Sequence, residues 1–266
     1  MISSLTKQII SLRDEAVNAW FEELVLPVAP SCNMMCNFCS KDSDCICNGN
    51  SPEYLSKVMT PRQAVNWAIA TVNKNSRIKV IRISGPGEPL CNTHTFEVLR
   101  RLNEELPDYI YSISTNGLLL DEKVNELVRM NVKIVNVSLN AVTTDTGLKL
   151  YSRIIKNNEI IVNSDQMAEI IFESTVKGIK KCVENGIKVK VNTVYFPGIN
   201  NMDLMSIASK CKELGVRSLC IISSSPRGKF SGLRTPNLLE MMGLKEELSR
   251  ILKKVEIKSF NPSVGG

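Results

Sequence analysis

The chain is poor in the features that would assign it elsewhere. No run of apolar residues approaches the length needed to cross a bilayer, so a membrane role is not expected. Residues 1–11 lack a basic stretch followed by an apolar one, so no secretory leader is read there. Aromatic residues make up only 5% of the chain and do not interleave with a basic stripe, which removes the usual surface for nucleic acid. Nine cysteines in 266 residues do not form the even framework of a short secreted domain. A reducing cytoplasm is expected, with thiols kept for metal. His94 is the only histidine. It falls where a helix should start, and a surface or capping role is expected, although an imidazole near neutral pKa can also move protons.

What is present is a chain 43% hydrophobic with a net charge of +6, enough for one sizeable core. The mild positive balance suits an anionic substrate or an acidic electron-donor protein. Residues 5–23 have helical spacing, with Ile9, Ile10, Ala16, Ala19 and Trp20 on one side. A helical extension is expected over 1–24 and the main domain over 25–266. Strands are predicted at 25–29, 78–84, 109–115, 132–139, 187–195 and 216–223, with a short last one at 255–260. Helices are predicted at 60–74, 92–106, 121–130, 165–184, 203–214 and 238–254. Asn92 or Thr93 should cap the second of these helices. Residues 141–163 read as a long polar loop that would cover an active site. Alternating strands and helices predict an α/β fold with a parallel sheet, either open or closed into a barrel. Ser84, Thr115, Asn140, Asn192 and Ser223 end the strands where barrel enzymes build their sites.

The chemistry concentrates in Cys32-Asn-Met-Met-Cys36-Asn-Phe-Cys39. Four thiolates normally complete an iron–sulfur cubane, and three leave one iron open. The triplet alone also admits a disulfide pair, or a zinc knuckle completed by Cys45 or Cys47. Ser84-Gly-Pro-Gly-Glu-Pro89 follows the next strand, where glycines allow close backbone approach and Glu88 offers a carboxylate for an ammonium group.

The C-x-x-x-C-x-x-C spacing, with Phe38 before the last cysteine, resembles the radical S-adenosylmethionine (radical SAM) superfamily. That resemblance implies a partial (β/α)6 barrel of the TIM type. It also implies a [4Fe–4S] cluster on Cys32, Cys36 and Cys39, which cleaves SAM to methionine and a 5′-deoxyadenosyl radical that abstracts hydrogen from a substrate. By the same resemblance the SAM contacts are Phe38, Gly85, Gly87, Glu88, Ser114, Asn116, Ser138, Asn140 and Asn192, with Pro197 and Gly198 near the adenine. A low-potential electron donor of the flavodoxin or ferredoxin type is implied as partner.

Within the superfamily, Leu26-Pro-Val-Ala-Pro30, Asp44-Cys45, Gly85-Pro-Gly-Glu-Pro-Leu90, Ser114-Thr-Asn-Gly-Leu118 and Pro197-Gly-Ile-Asn200 resemble the core of the nitrogenase-cofactor maturase family, NifB, over roughly residues 25–225. The resemblance implies a role in maturing an iron–sulfur cofactor, with a maturation partner or protein substrate. The chain departs from that pattern at the auxiliary-cluster ligands. Val25 stands where the family has histidine, Ser112 where it has cysteine, and Asn48 (with Glu53 nearby) where it has glutamate. The C-terminal cysteine pair is missing. Cys45 alone matches, leaving Cys45, Cys47 and Cys91 as candidate ligands of a second cluster, hydrogen-atom donors or small apolar residues. Cys182, Cys211 and Cys220 are read as core. The other readings are a relative acting on an organic or peptide substrate, an activase for a glycyl-radical enzyme, and a non-catalytic iron–sulfur carrier or scaffold.

Overall fold

The computed structural model describes residues 22–39 and 58–258. Seven strands form one parallel sheet, curled into a half-barrel. They are β1 (Glu22–Leu26), β3 (Ile78–Ile83), β4 (Ile110–Thr115), β5 (Val132–Ser138), β8 (Lys188–Tyr195), β9 (Ser218–Ser223) and β10 (Lys254–Lys258), adjacent in that order. The helices between them are α1 (Pro61–Lys74), α2 (Thr93–Glu105), α3 (Leu120–Arg129), α5 (Asp165–Glu184), α6 (Asp203–Glu213) and α7 (Leu238–Ser249). Six predicted strands and the short last one are therefore all present, as the barrel expectation requires.

Several boundaries differ from the sequence reading. The first strand begins at Glu22, so Glu22 and Glu23 are strand and not the end of a helix. The remainder of the 5–23 helix expectation lies outside the described residues, as do Cys45, Cys47, Asn48 and Glu53. Helix α7 stops at Ser249, which frees Lys254 to start β10.

The largest correction concerns residues 141–163. They are not an irregular loop. Thr143 caps a short helix, α4 (Thr144–Leu150), by accepting from the Thr146 N–H. A hairpin follows, β6 (Tyr151–Lys156) and β7 (Glu159–Val162). Its two-residue turn is Asn157-Asn158, both at positive φ, +52° and +62°. Asparagine tolerates that conformation better than other side chains. Strand β6 also pairs antiparallel with β2 (Met34–Cys36), inside the cysteine segment, so the insertion is a clamp on the cysteines.

The sheet's alternation divides its side chains cleanly. Leu26, Ile81, Ile83, Tyr111, Ile113, Val137, Val191 and Leu219 face the helices in the main core. Val80, Ile110 and Ile134, on the opposite face, form a small apolar floor inside the barrel. A second cluster of Phe38, Leu118, Leu150, Tyr151, Ile154, Phe196 and Ile222 joins the hairpin and cysteine segment to the strand ends. Burying each such large side chain contributes about 1.5–3 kcal/mol. Cys182, Cys211 and Cys220 are buried, as expected.

Helix α5 crosses α3 at Gly178. A Cβ there would lie 2.7 Å from Leu120 Cβ and 2.8 Å from the Asp121 backbone nitrogen. The backbone cannot yield cheaply, so Gly178→Ala should destabilise the fold by about 1–3 kcal/mol. Chemical denaturation measures this, and an unchanged midpoint would show that the helices have room to separate.

Candidate active site

The cysteine segment leaves β1 at the C-terminal edge of the sheet and is held from two sides. On one side, β2 pairs Met34 with Ile154, Met35 with Arg153 and Cys36 with Tyr151. The Asn37 N–H donates to the Leu150 carbonyl at 2.8 Å, Asn37 Nδ2 donates to the Lys149 carbonyl at 2.8 Å, and the Ile155 N–H donates to the Asn33 carbonyl at 2.8 Å. On the other side lies the segment after β9, where the Lys229 N–H donates to the Asn37 carbonyl at 2.7 Å. Gly228 sits at φ +55°, and a Cβ on it would be 2.7 Å from the carbonyl oxygens of both Asn37 and Cys39. Only glycine fits this position. Gly228→Ala imposes about 1–2 kcal/mol of left-handed strain and pushes on the Cys39 carbonyl. Iron retained per chain after anaerobic reconstitution should fall severalfold, while circular dichroism stays native. Full iron retention would mean the segment plays no part in shaping the cysteine loop.

Cys32 and Cys39 are exposed, Cys36 is half-buried, and none forms a disulfide. Among the described residues no three metal-ligating groups converge on a single ion position. In a cubane the thiolates each bind a different iron. Polar atoms for a ligand lie alongside. Asn33 Nδ2, next to Cys32, and Ser114 Oγ, at the end of β4, are both buried without a protein partner. Such atoms cost free energy unless something hydrogen-bonds to them, and the polar methionyl and ribose groups of SAM are suitable partners. The residues present therefore fit a cluster with bound SAM.

The turn at 85–89 holds the loop in place. The Ala29 N–H donates to the Gly85 carbonyl, the Gly87 N–H to the Ala29 carbonyl at 2.7 Å, and the Glu88 N–H to the Ser31 carbonyl at 2.9 Å. A Cβ on Gly87 would lie 2.1 Å from the Ser31 oxygen. The cysteine segment by itself therefore requires glycine at 87. The structure also redirects Glu88. Its side chain is 2% exposed. One carboxylate oxygen accepts from the Thr115 hydroxyl (2.6 Å) and the Leu90 N–H (2.9 Å), and the other accepts from the Asn116 N–H (2.6 Å). Burial pushes its pKa up to about 7 against the lowering effect of these three donors. The carboxylate ties the turn to the end of β4 and is not presented to an ammonium group.

Among the other expected contacts, Asn116 is best placed. Its Nδ2 donates to Asn33 Oδ1 at 2.8 Å and approaches Cys32 Sγ at 3.9 Å. Ser114, Ser138 and Asn192 line the same strand ends and are buried. Asn140 is occupied internally. It accepts from the Val194 N–H and donates to the Tyr151 hydroxyl, fixing the hairpin to β8. Phe38 is 2% exposed, its ring packed on Tyr151, Phe196 and Phe230. It therefore supports the cysteine loop from behind.

Cys91, a candidate second-cluster ligand, lies beside the turn at 85–89. Its thiol donates toward the Glu88 and Ser31 carbonyls, and burial, with nearby Glu88, pushes it up to about 11. Three residues have roles that the sequence reading did not give them. Asn92 stands at the N-cap position of α2 without capping it. Its side chain instead donates to the Ser31 and Glu88 carbonyls and accepts from the Ser31 hydroxyl. Asn200 donates to the Asn140 and Val194 carbonyls, and Asp203 accepts from the Val142 and Thr143 N–H groups. These fix the β5–α4 connection.

Comparison with known proteins agrees with this geometry. The family profile of the radical SAM superfamily matches residues 26–211. FeMo cofactor biosynthesis protein NifB of Azotobacter vinelandii is 33% identical over 239 residues, covering 87% of this chain and 47% of that protein. NifB of Chlorobaculum tepidum is 29% identical over 87% of this chain and 55% of its own. NifB of Methanocaldococcus jannaschii is 32% identical over 85% of this chain and 75% of its own. The chain thus spans about half the length of the first two relatives. A radical SAM methyltransferase from Sphaerobacter thermophilus shares the fold at a TM-score of 0.58 and 18% identity, covering 89% of this chain and 65% of that one. Family profile, relatives and fold agree: the chain belongs to the radical SAM superfamily and is related in sequence to the NifB proteins.

Proposed function

We propose that this chain is a NifB-like radical SAM enzyme in which Cys32, Cys36 and Cys39 hold a [4Fe–4S] cluster and hydrogen abstraction serves the maturation of an iron–sulfur cofactor. When bound, the cluster supplies the electron that cleaves SAM to methionine and the 5′-deoxyadenosyl radical. The observation that carries this reading is the meeting of the cysteine loop with the ends of β4, β5 and β8 around Asn33 and Ser114, whose buried polar atoms lack protein partners. Asn116 orients the segment at Cys32, and Ser114, Ser138 and Asn192 are the proposed SAM contacts. Glu88, Asn92 and Gly87 position the loop. Phe38 and the hairpin exclude water from behind it. Among the described residues no helix is long and apolar enough to cross a membrane. A cytoplasmic setting and a flavodoxin- or ferredoxin-type reductant belong to the same proposal.

The test is anaerobic reconstitution with iron and sulfide counted per chain, and EPR of the reduced protein with and without SAM. One cubane whose spectrum shifts with SAM, together with 5′-deoxyadenosine formation, is the expected result. Cluster transfer to an acceptor without SAM cleavage would replace this reading with that of a carrier.

A second reading is favoured by Val25 and Ser112, which occupy the positions of family auxiliary ligands without ligating atoms suited to iron. It keeps the same SAM chemistry and directs it at an organic or peptide substrate, or at a glycyl-radical enzyme.

A further inference from the structure

We propose that Lys156 is a positioning residue for SAM: its ammonium pins the hairpin to the turn after β4, and so sets how far the cysteine loop stands from the polar strand ends. The proposal deepens the function proposed above and rests on it for the identity of SAM as the ligand.

Lys156 is the last residue of β6, directly before the Asn157-Asn158 turn. Its side chain is only 13% exposed. An ammonium has three N–H donors, and the oxygens to match them surround this one. It donates to the Leu118 carbonyl at 3.1 Å and to Ser174 Oγ of α5 at 2.7 Å. A carboxylate oxygen of Glu122 lies at 3.1 Å, and one of Asp121 at 3.6 Å. Charge this far from water is tolerated only where it is paired and hydrogen-bonded. The partners come from separate elements: the turn after β4, the first turn of α3 and the middle of α5. One side chain of the hairpin therefore gathers all of them.

These contacts close a circuit through the site. Ile155, next to Lys156, donates its N–H to the Asn33 carbonyl at 2.8 Å. Asn33 Oδ1 accepts from Asn116 Nδ2 at 2.8 Å. Asn116 Oδ1 accepts from the Leu118 N–H at 3.0 Å. The Leu118 carbonyl then returns to Lys156. Hairpin, cysteine loop and strand end are thus each bonded to the other two. The buried polar atoms without protein partners, Asn33 Nδ2 and Ser114 Oγ, belong to different members of this circuit. Asn33 is in the cysteine loop, and Ser114 is two residues before Asn116 on β4. The strand-end turn has a firm backing. Gly117 sits at φ +89°, and a Cβ there would lie 2.5 Å from Thr175 Oγ1 of α5. The neighbouring Ser174 holds Lys156, so α5 is the common base for turn and hairpin. Because β2 pairs with β6, a hairpin released from that base carries Met34–Cys36 with it. A misplacement of about 1 Å in a positioning contact is enough to weaken ligand binding or slow the reaction.

The test compares Lys156→Met, which keeps the apolar stem, with Lys156→Arg, which keeps charged donors. In the reconstituted full chain the KM for SAM should rise roughly tenfold in Lys156→Met, through loss of a hydrogen bond from a charged donor. Its kcat should change by less than about threefold, and Lys156→Arg should return KM to within about threefold of native. The EPR spectrum of reduced Lys156→Met should need correspondingly more SAM to shift. A role confined to fold stability would lower the denaturation midpoint and leave the KM of the folded fraction as it is. An unchanged KM in Lys156→Met, a loss in kcat alone, or an arginine variant no better than methionine overturns the proposal. Hydrogen exchange of the full chain without SAM supplies a readout independent of turnover. Amides at 115–120 and 152–157 should exchange faster together in Lys156→Met, while those of α7 keep their native rates. Native rates in both stretches would also overturn the proposal. Should Lys156→Met fail to fold, Lys156→Gln, shorter and still polar, takes both measurements with the same expected directions. Coupled exchange in a protein whose native form neither binds nor cleaves SAM would keep Lys156 as the pin of the hairpin and remove the radical SAM assignment.

Discussion

Alanine at Cys32, Cys36 or Cys39 should each abolish 5′-deoxyadenosine formation, a loss of at least about a thousandfold, because a thiolate cluster ligand has no neutral substitute. The three variants should be equivalent in activity and unequal in stability. Cys32 and Cys39 are exposed, so their truncation removes little packing. Cys36 is half-buried at the end of β2, against the apolar cluster around Phe38 and Tyr151, so its alanine variant should also lower thermal stability slightly. Iron content is the companion measurement and should fall with activity in all three. Cys91→Ala is the internal control. Its thiol donates toward the Glu88 and Ser31 carbonyls, so cluster content should be kept. Retained SAM cleavage in any one of the triplet variants would end the assignment of that cysteine. Iron lost from Cys91→Ala would restore it as a ligand.

The sequence displayed the frame of the molecule more readily than its clamps. Ile78–Ile83 and Val132–Ser138 are rich in β-branched residues broken by single polar ones, and such strands were legible with their helices to within a few residues. The cysteine spacing was legible because it is contiguous. The hairpin at 151–162 was not, because its alternation is short and half polar. Its one strong signal, Asn157-Asn158 as a two-residue turn, lies within a stretch of charged and polar residues. Glu88 illustrates a different limit. A carboxylate beside glycines reads equally well as a ligand for an ammonium group or as an acceptor for backbone N–H groups. Only the positions of Thr115 and Asn116, 27 and 28 residues away, decide between them. Asn92 misleads for the same reason: a residue suited to capping a helix spends its amide on Ser31, 61 residues earlier.

Glu88 should also make stability depend on pH in an unusual direction. Its ordinary pKa is 4.5, and the folded protein raises it to about 7. The folded state therefore binds the proton more tightly than the unfolded chain. This contribution is most favourable below pH 4.5 and is lost as pH rises through 7, with a full amplitude of about 3 kcal/mol. Other groups titrate in the same range, so the measurement is the difference between native protein and Glu88→Gln, taken from denaturation midpoints across that window. At pH 5 the glutamine variant should be less stable by about 1–3 kcal/mol, because an amide nitrogen replaces one acceptor facing the fixed N–H groups of Leu90 and Asn116. The gap should narrow toward pH 8, where the native protein holds a buried charge and the variant does not. A constant gap would show that the carboxyl does not change protonation in this range. Since the same carboxylate holds the Asn116 backbone, and Asn116 reaches both Asn33 and Cys32, Glu88→Ala should loosen the cluster loop as well as the fold. Its SAM cleavage should fall with a raised KM for SAM, a signature that loss of global stability alone does not produce in the folded fraction.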